Sequence, residues 1–169
     1  MDSSGAASSL NTLSAMEING VPLHPLVVHA VVVFVPLAAL AAIAMSLPRW
    51  RWLARWPALL LTLGATAATY VAKLTGSQLM KARKLGSPQI ETHLEWGGRL
   101  MIAMWIFAGL VVVAFWAWPH VTSLSAGQDR EGRVAVLEKP LMVLLPVAAV
   151  VALVLVVITG DAGARAVWS

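Results

Sequence analysis

The sequence has no cysteine among its 169 residues. Disulfides, thiolate metal sites, iron–sulfur clusters and covalently attached c-type haem all need a cysteine sulfur, so these features are excluded. Charge is also scarce, because charged residues make up 12% of the chain against ~25% in ordinary soluble domains. Any metal or haem must therefore be bound through histidine, methionine or carboxylate side chains.

What the chain has in place of charge is four long apolar runs, at 26–47, 57–74, 100–118 and 141–160. Each comes close to the ~20 residues that an α-helix needs to cross ~30 Å of hydrocarbon. The runs are continuously apolar, whereas barrel strands alternate. We therefore predict an all-α integral membrane four-helix bundle over 20–169, after a mobile N-terminal tail over 1–19. The predicted helices lie at about 25–47, 57–75, 94–118 and 140–160.

Four spans place both termini on one side of the membrane. We call this side face A; it holds the starts of the first and third helices and the ends of the second and fourth. The opposite side is face B. The 12 lysines and arginines divide equally between the two faces, but Arg49, Arg51 and Arg55 directly follow the first span and no basic residue precedes it. This asymmetry favours face B in the cytoplasm and the termini outside.

Most of the unusual polar residues gather at face A. His24 and His29 open the first helix, His93 and Arg99 open the third, and Asp161 follows the fourth. Ionisable groups at a membrane edge are costly unless they pair, face an aqueous cavity or bind a ligand. Face A is therefore the predicted functional site.

Histidine is the strongest chemical signal there. A b-type haem needs two imidazoles at similar depth on facing helices, with small residues beside the porphyrin. His29 and His93 meet the depth requirement, Gly97 leaves room on the face of His93, and Arg99 is placed to meet a propionate. His24 is the competing ligand, and it points ~140° away from His29 at ~100° per residue. Both therefore cannot readily face one centre.

Two other interpretations of the same residues remain open. One is a metal site in which Asp161 joins His29 and His93. The other is a purely structural polar cluster, with His93 paired to Glu95 or Asp161 and an ion pair between Glu95 and Arg99 at i,i+4. Lys73 and Arg165 are further candidate cations for propionates.

The second and fourth helices share a Thr-Gly ending, Thr75-Gly76 and Thr159-Gly160. With a histidine opening the first and third helices, this pattern suggests two repeats of a helix pair. The similarity has a simpler interpretation, because glycine commonly stops a helix and threonine commonly bonds to the preceding turn.

Motifs of soluble enzymes are missing. The sequence has no G-x-S-x-G, H-E-x-x-H, P-loop or G-x-G-x-x-G, so no hydrolase or transferase signature supports an enzyme, and a non-catalytic redox subunit stays open. No polybasic strip points to nucleic acid. No acidic or polar residue lies deep in the apolar runs, which leaves little to line a conduction path.

The stretch 20–29, Gly-Val-Pro-Leu-His-Pro-Leu-Val-Val-His, with the Thr-Gly endings, resembles the bacterial membrane family called domain of unknown function 2231. The resemblance covers about Asn19–Trp168. Members have four spans and some are fused to Rieske-type or other redox domains, which implies an electron-transfer setting. The family often carries Thr-Gly-His-x-Gly-Gly after its last helix, but here Asp161 stands where that histidine would be. A haem would then depend on His29 and His93.

The favoured function is a small redox subunit with haem b near face A of a bacterial inner membrane. Its expected partners are the lipid bilayer and a redox protein or membrane complex, or further copies of the chain. The alternative is a cofactor-free structural subunit of a larger complex, and a small-solute or metal permease comes third.

Overall fold

A computed structural model describes residues 17–18, 21–83, 87–118 and 135–168. Four long helices make up most of this part of the chain: α1 Leu23–Ser46, α2 Arg51–Arg83, α3 Pro88–Ala117 and α4 Ala135–Trp168. A pair of two-residue antiparallel strands, β1 Glu17–Ile18 and β2 Val21–Pro22, precedes them. The prediction of an all-α bundle is confirmed. The rest of the predicted mobile tail, 1–16 and 19, lies outside the described residues.

Each helix is long and apolar enough to cross a membrane. At the start of α3, the Ser87 side chain accepts a hydrogen bond from the Ile90 N–H (3.4 Å), and Pro88 follows. Both residue types favour a helix start. The helix ends differ from the sequence-based interpretation, since α2 continues through Gly76 and α4 through Gly160. The interpretation of these two glycines as helix stops is therefore wrong.

The helices form a ring in chain order, in which α1 packs on α2 and α4, and α3 packs on α2 and α4. This arrangement puts α1 and α3 across the bundle from each other. The start of α1 contacts the end of α2, and the start of α3 contacts the end of α4. Face A therefore gathers the helix ends that the sequence predicted.

The core contains many alanines and valines together with a few large side chains, and many other large apolar side chains face outward. Ala38 and Ala42 of α1 are fully buried, and so are the larger Met104 and Phe107 of α3. On the outer surface, large apolar residues are exposed on all four helices, including Leu40, Leu60, Ile106 and Val157. Apolar surface of this extent suits lipid and not water. The chain is a multi-pass membrane protein.

Arg51 is buried at face B, although it is the first residue of α2. Its Nη1 donates to Oε1 of Glu138 on α4 (3.0 Å), and its Nε donates to the Met45 carbonyl of α1 (3.4 Å). Its guanidinium carbon lies 4.2 Å from the ring centroid of Trp118. One side chain thus joins α2 to α1, to α4 and to the residue that follows α3.

Arg55, one turn further along α2, is also buried. It donates to the Phe115 carbonyl and stacks on the Phe115 ring. The Met45 and Phe115 carbonyls belong to the last four residues of α1 and α3, where no intrahelical donor is present. The two arginines therefore satisfy helix-end carbonyls in the low-dielectric bundle, a role that goes beyond the topology signal inferred from sequence.

Four threonines of α2 are buried: Thr62, Thr66, Thr69 and Thr75. Thr66 and Thr69 donate to the carbonyls four residues earlier, both at 2.8 Å. The Thr62 hydroxyl is buried and has no hydrogen-bond partner among the described residues. The interpretation that no polar residue lies deep in the apolar runs is therefore wrong, because hydroxyls reach from the bundle centre towards face A.

Candidate functional site

His24 lies at the start of α1 and turns its ring inward against the end of α2. Its Nδ1 lies 2.9 Å from the carbonyl oxygen of Ala72 and 3.3 Å from the hydroxyl of Thr75. Thr75 itself donates to the Val71 carbonyl at 2.9 Å. Because a carbonyl can only accept, the His24 Nδ1 carries the proton, and in the neutral ring Nε2 keeps its lone pair.

Gly76 makes room for this ring. A Cβ at position 76 would lie 2.8 Å from Cε1 of His24 and 3.1 Å from Nδ1. Non-bonded carbon atoms prefer ~3.5–4.0 Å, so no larger residue fits without moving the ring. The glycine within α2 thus serves the histidine of α1.

His93 repeats the arrangement between α3 and α4. Its Nδ1 donates to the Thr159 carbonyl at 3.0 Å, and a Cβ at Gly163 would lie 3.0 Å from its Cε1. In both helix pairs the carbonyl acceptor lies four residues before the glycine, on the same helix face. The structure thus supports the internal duplication, but with Gly76 corresponding to Gly163 and not to Gly160.

The two histidines meet across the bundle. The ring centroids of His24 and His93 are 6.3 Å apart, with the ring planes at 77°. Neither Nε2 has a hydrogen-bond partner among the described residues. Two imidazoles with free lone pairs therefore lie close together, one from each helix pair.

His29 has a different environment. Its ring is exposed, and Nδ1 donates to the Pro25 carbonyl of the same helix at 2.6 Å. The structure thus brings His24, and not the predicted His29, together with His93. As their spacing predicted, His24 and His29 point in different directions from α1. It is the His24 ring that faces the interior of the bundle.

A cavity of 410 Å³ surrounds the two imidazoles and is lined by residues of all four helices. Its walls are mainly apolar, with contributions from Val28, Val31, Leu94, Leu100 and Val156. Gly97 lines it, and so does Thr159, whose hydroxyl is buried with no partner among the described residues. His29 and Lys73 line the cavity and are also exposed, so they lie at its mouth.

A family model described as predicted membrane protein, domain of unknown function 2231 (DUF2231), matches residues 20–169. The chain belongs to the DUF2231 family. No curated protein and no solved structure matches it. The DUF2231 match spans all four helices, so it includes both histidines and every residue that lines the cavity.

Two predicted site residues of this DUF2231 protein lie away from the cavity. Arg99 pairs with Glu95, confirming that i,i+4 ion pair, and stacks 4.4 Å from the Trp96 centroid. Asp161 pairs with Arg165 at 2.9 Å, and both side chains are exposed. Within the described ranges, no group of three His, Asp or Glu side chains is placed to hold a metal ion.

Proposed function

We propose that this DUF2231 protein is a small redox subunit of a bacterial inner membrane that binds haem b between His24 and His93. The observation that carries the proposal is the hydrogen bonding of the two imidazole rings. Each Nδ1 is bonded to a backbone carbonyl, which leaves Nε2 as the free lone pair, and this is the usual arrangement of a metal-binding histidine.

The spacing of the rings supports the proposal. A metal–imidazole bond is ~2.0–2.1 Å, and a ring nitrogen lies ~1.2 Å from its ring centroid. Two imidazoles that held one metal between them would therefore have centroids up to ~6.4 Å apart, and the observed separation is 6.3 Å. The cavity volume of 410 Å³ is within the ~300–1,000 Å³ of typical ligand and cofactor pockets.

Each part of the site has a role in this proposal. His24 and His93 would hold the iron, and the carbonyls of Ala72 and Thr159 fix the orientation of the two rings. Gly97 would leave space for the macrocycle, and the apolar walls would keep water away from it. Haem b supplies one-electron transfer when it is bound.

An absorption spectrum of the protein purified in detergent tests the proposal. We expect a Soret band and an α-band that sharpens on reduction, both lost in His24→Ala and in His93→Ala. His29→Ala is the matched control, because its ring bonds only to its own helix, and it should keep both bands. Bands that survive His24→Ala but disappear in His29→Ala would show that His29, and not His24, is the ligand from α1.

The second candidate function is a cofactor-free subunit of a larger membrane complex. It is favoured by the same Nδ1 bonds, which tie α1 to α2 and α3 to α4 without any ligand. In that case the purified protein has no visible absorbance, and His24→Ala and His93→Ala only lower its unfolding temperature.

For the orientation, we propose that face A, with its cavity, is on the outside of the cell. Because the sequence has no cysteine, single introduced cysteines can be labelled unambiguously. A membrane-impermeant maleimide added to intact cells should label Ser77→Cys at face A and leave Trp50→Cys at face B unlabelled. The main support for this orientation is the three arginines that follow α1. The opposite labelling pattern would show that face A is on the cytoplasmic side.

A further inference from the structure

Lys73 differs from the other face-A cations whose side chains the structure describes. Arg99 and Arg165 each pair with a carboxylate four residues away in their own helix. Lys73 forms no ion pair with any described residue. It lies in the spanning part of α2 and lines the mouth of the cavity. An ammonium at this depth is costly unless it reaches the headgroups or meets an anion.

The cavity behind Lys73 is apolar over most of its wall, and its other polar side chains are the imidazoles of His24, His29 and His93 and the hydroxyls of Thr69 and Thr159. Such a site matches a molecule with an apolar body and one negatively charged end. The body would displace water from the walls, and the charge would lie at the mouth. A single lysine suits one carboxylate.

We infer that the cavity binds an amphipathic carboxylate and that Lys73 is the residue that binds its carboxylate group. Two sources share this chemistry: a propionate of haem b, and a long-chain fatty acid from the bilayer. The haem form of the inference rests on the proposed function, and the fatty-acid form does not. In the haem form, Lys73, already one of the candidate cations from sequence, takes the propionate role in place of Arg99.

The test compares each carboxylate with its ester. Affinities of the purified protein are measured for haem b and haem dimethyl ester, and for a spin-labelled fatty acid and its methyl ester. For at least one of these pairs, Lys73→Gln should weaken binding of the acid by about tenfold and leave the ester unchanged, because a hydrogen bond to a charged group is lost only with the acid. Lys73→Arg should restore most of the affinity.

Arg99→Gln is the control for the general loss of surface charge, and it should leave all four affinities unchanged. If it weakens acid binding as much as Lys73→Gln does, or if Lys73→Gln weakens acid and ester equally, Lys73 is not the carboxylate-binding residue. Failure of both haem and fatty acid to bind also overturns the inference.

The two proposals can fail separately. A protein without haem bands that binds fatty acid through Lys73 refutes the haem proposal and supports this inference. A protein with haem bands, whose affinity for neither acid changes in Lys73→Gln, supports the haem proposal and refutes this inference.

Discussion

Gly76→Ala is expected to displace His24 from the Ala72 carbonyl and to destabilise the protein by about 0.5–2 kcal/mol, because the ~1–3 kcal/mol cost of the lost hydrogen bond is partly offset by the ~0.5–1 kcal/mol gained on removing a helical glycine. The added methyl carbon would lie 2.8 Å from Cε1 of His24, so the ring must move. The bond from Nδ1 to the carbonyl, 2.9 Å long, cannot survive a large shift. Unfolding in mixed detergent micelles measures the stability, and under the haem proposal the visible bands should weaken as well.

Gly64→Ala is the matched control in the same helix, because a Cβ at position 64 meets no atom within 4 Å. It should stabilise the protein by about 0.5–1 kcal/mol, the usual gain from removing a helical glycine. Gly163→Ala and Gly160→Ala form a second pair with a smaller expected contrast, since the Gly163 approach is 3.0 Å. Equal stability of Gly76→Ala and Gly64→Ala would show that the His24 ring does not depend on a glycine at position 76 for its space.

The fold could be predicted from sequence because the bilayer permits few alternatives. Within hydrocarbon the backbone must satisfy its own hydrogen bonds, so an apolar run of about twenty residues forms a helix. The helix ends could not be predicted this way. The apolar run ends at the headgroups, but backbone hydrogen bonding continues beyond them. Helices α2 and α4 therefore extend past the glycines that the sequence pattern interpreted as helix stops.

The site was only partly predictable. His93 follows from its place at the start of α3, but the choice between His24 and His29 depends on how α1 is rotated. That rotation is set by its core residues, Val31, Val35, Ala38, Ala42 and Met45. These recur every three or four residues, and the same spacing extended backwards through position 28 reaches 24 and misses 29. The buried alanines in this series are therefore the sequence signal that His24 faces the bundle interior.

The arginines at face B could not be interpreted fully from sequence. Counting charges gives a membrane orientation, but it says nothing about whether a guanidinium is exposed. Arg49 is exposed, whereas Arg51, two residues later, is 3% exposed. Only the packing of α2 between the ends of α1 and α3 distinguishes them, and packing of helices distant in sequence is not encoded in a local pattern.

Arg51→Ala is therefore expected to destabilise the protein by about 2–4 kcal/mol. It removes the partner of Glu138, the stacking on Trp118 and the bond to the Met45 carbonyl. Breaking a fully buried ion pair costs ~3–5 kcal/mol, and the expected value is lower because the Glu138 side chain is 32% exposed. Unfolding in mixed micelles measures the change. Lost Trp118 packing should also shift the tryptophan fluorescence.

Arg49→Ala is the control for removing a charge of the same sign from the same end of the bundle, two residues earlier in the chain. Its guanidinium is exposed and 6.0 Å from the Trp50 centroid, so the change should stay within about 0.5 kcal/mol. Arg51→Lys should fall between the two, because lysine keeps the charge but cannot both stack flat on Trp118 and bond to Glu138. If Arg51→Ala costs no more than Arg49→Ala, the arginine acts as a topology signal alone. A large difference would instead show that the Arg51 side chain stabilises the bundle at face B, where it contacts the end of α1, the residue after α3 and the start of α4.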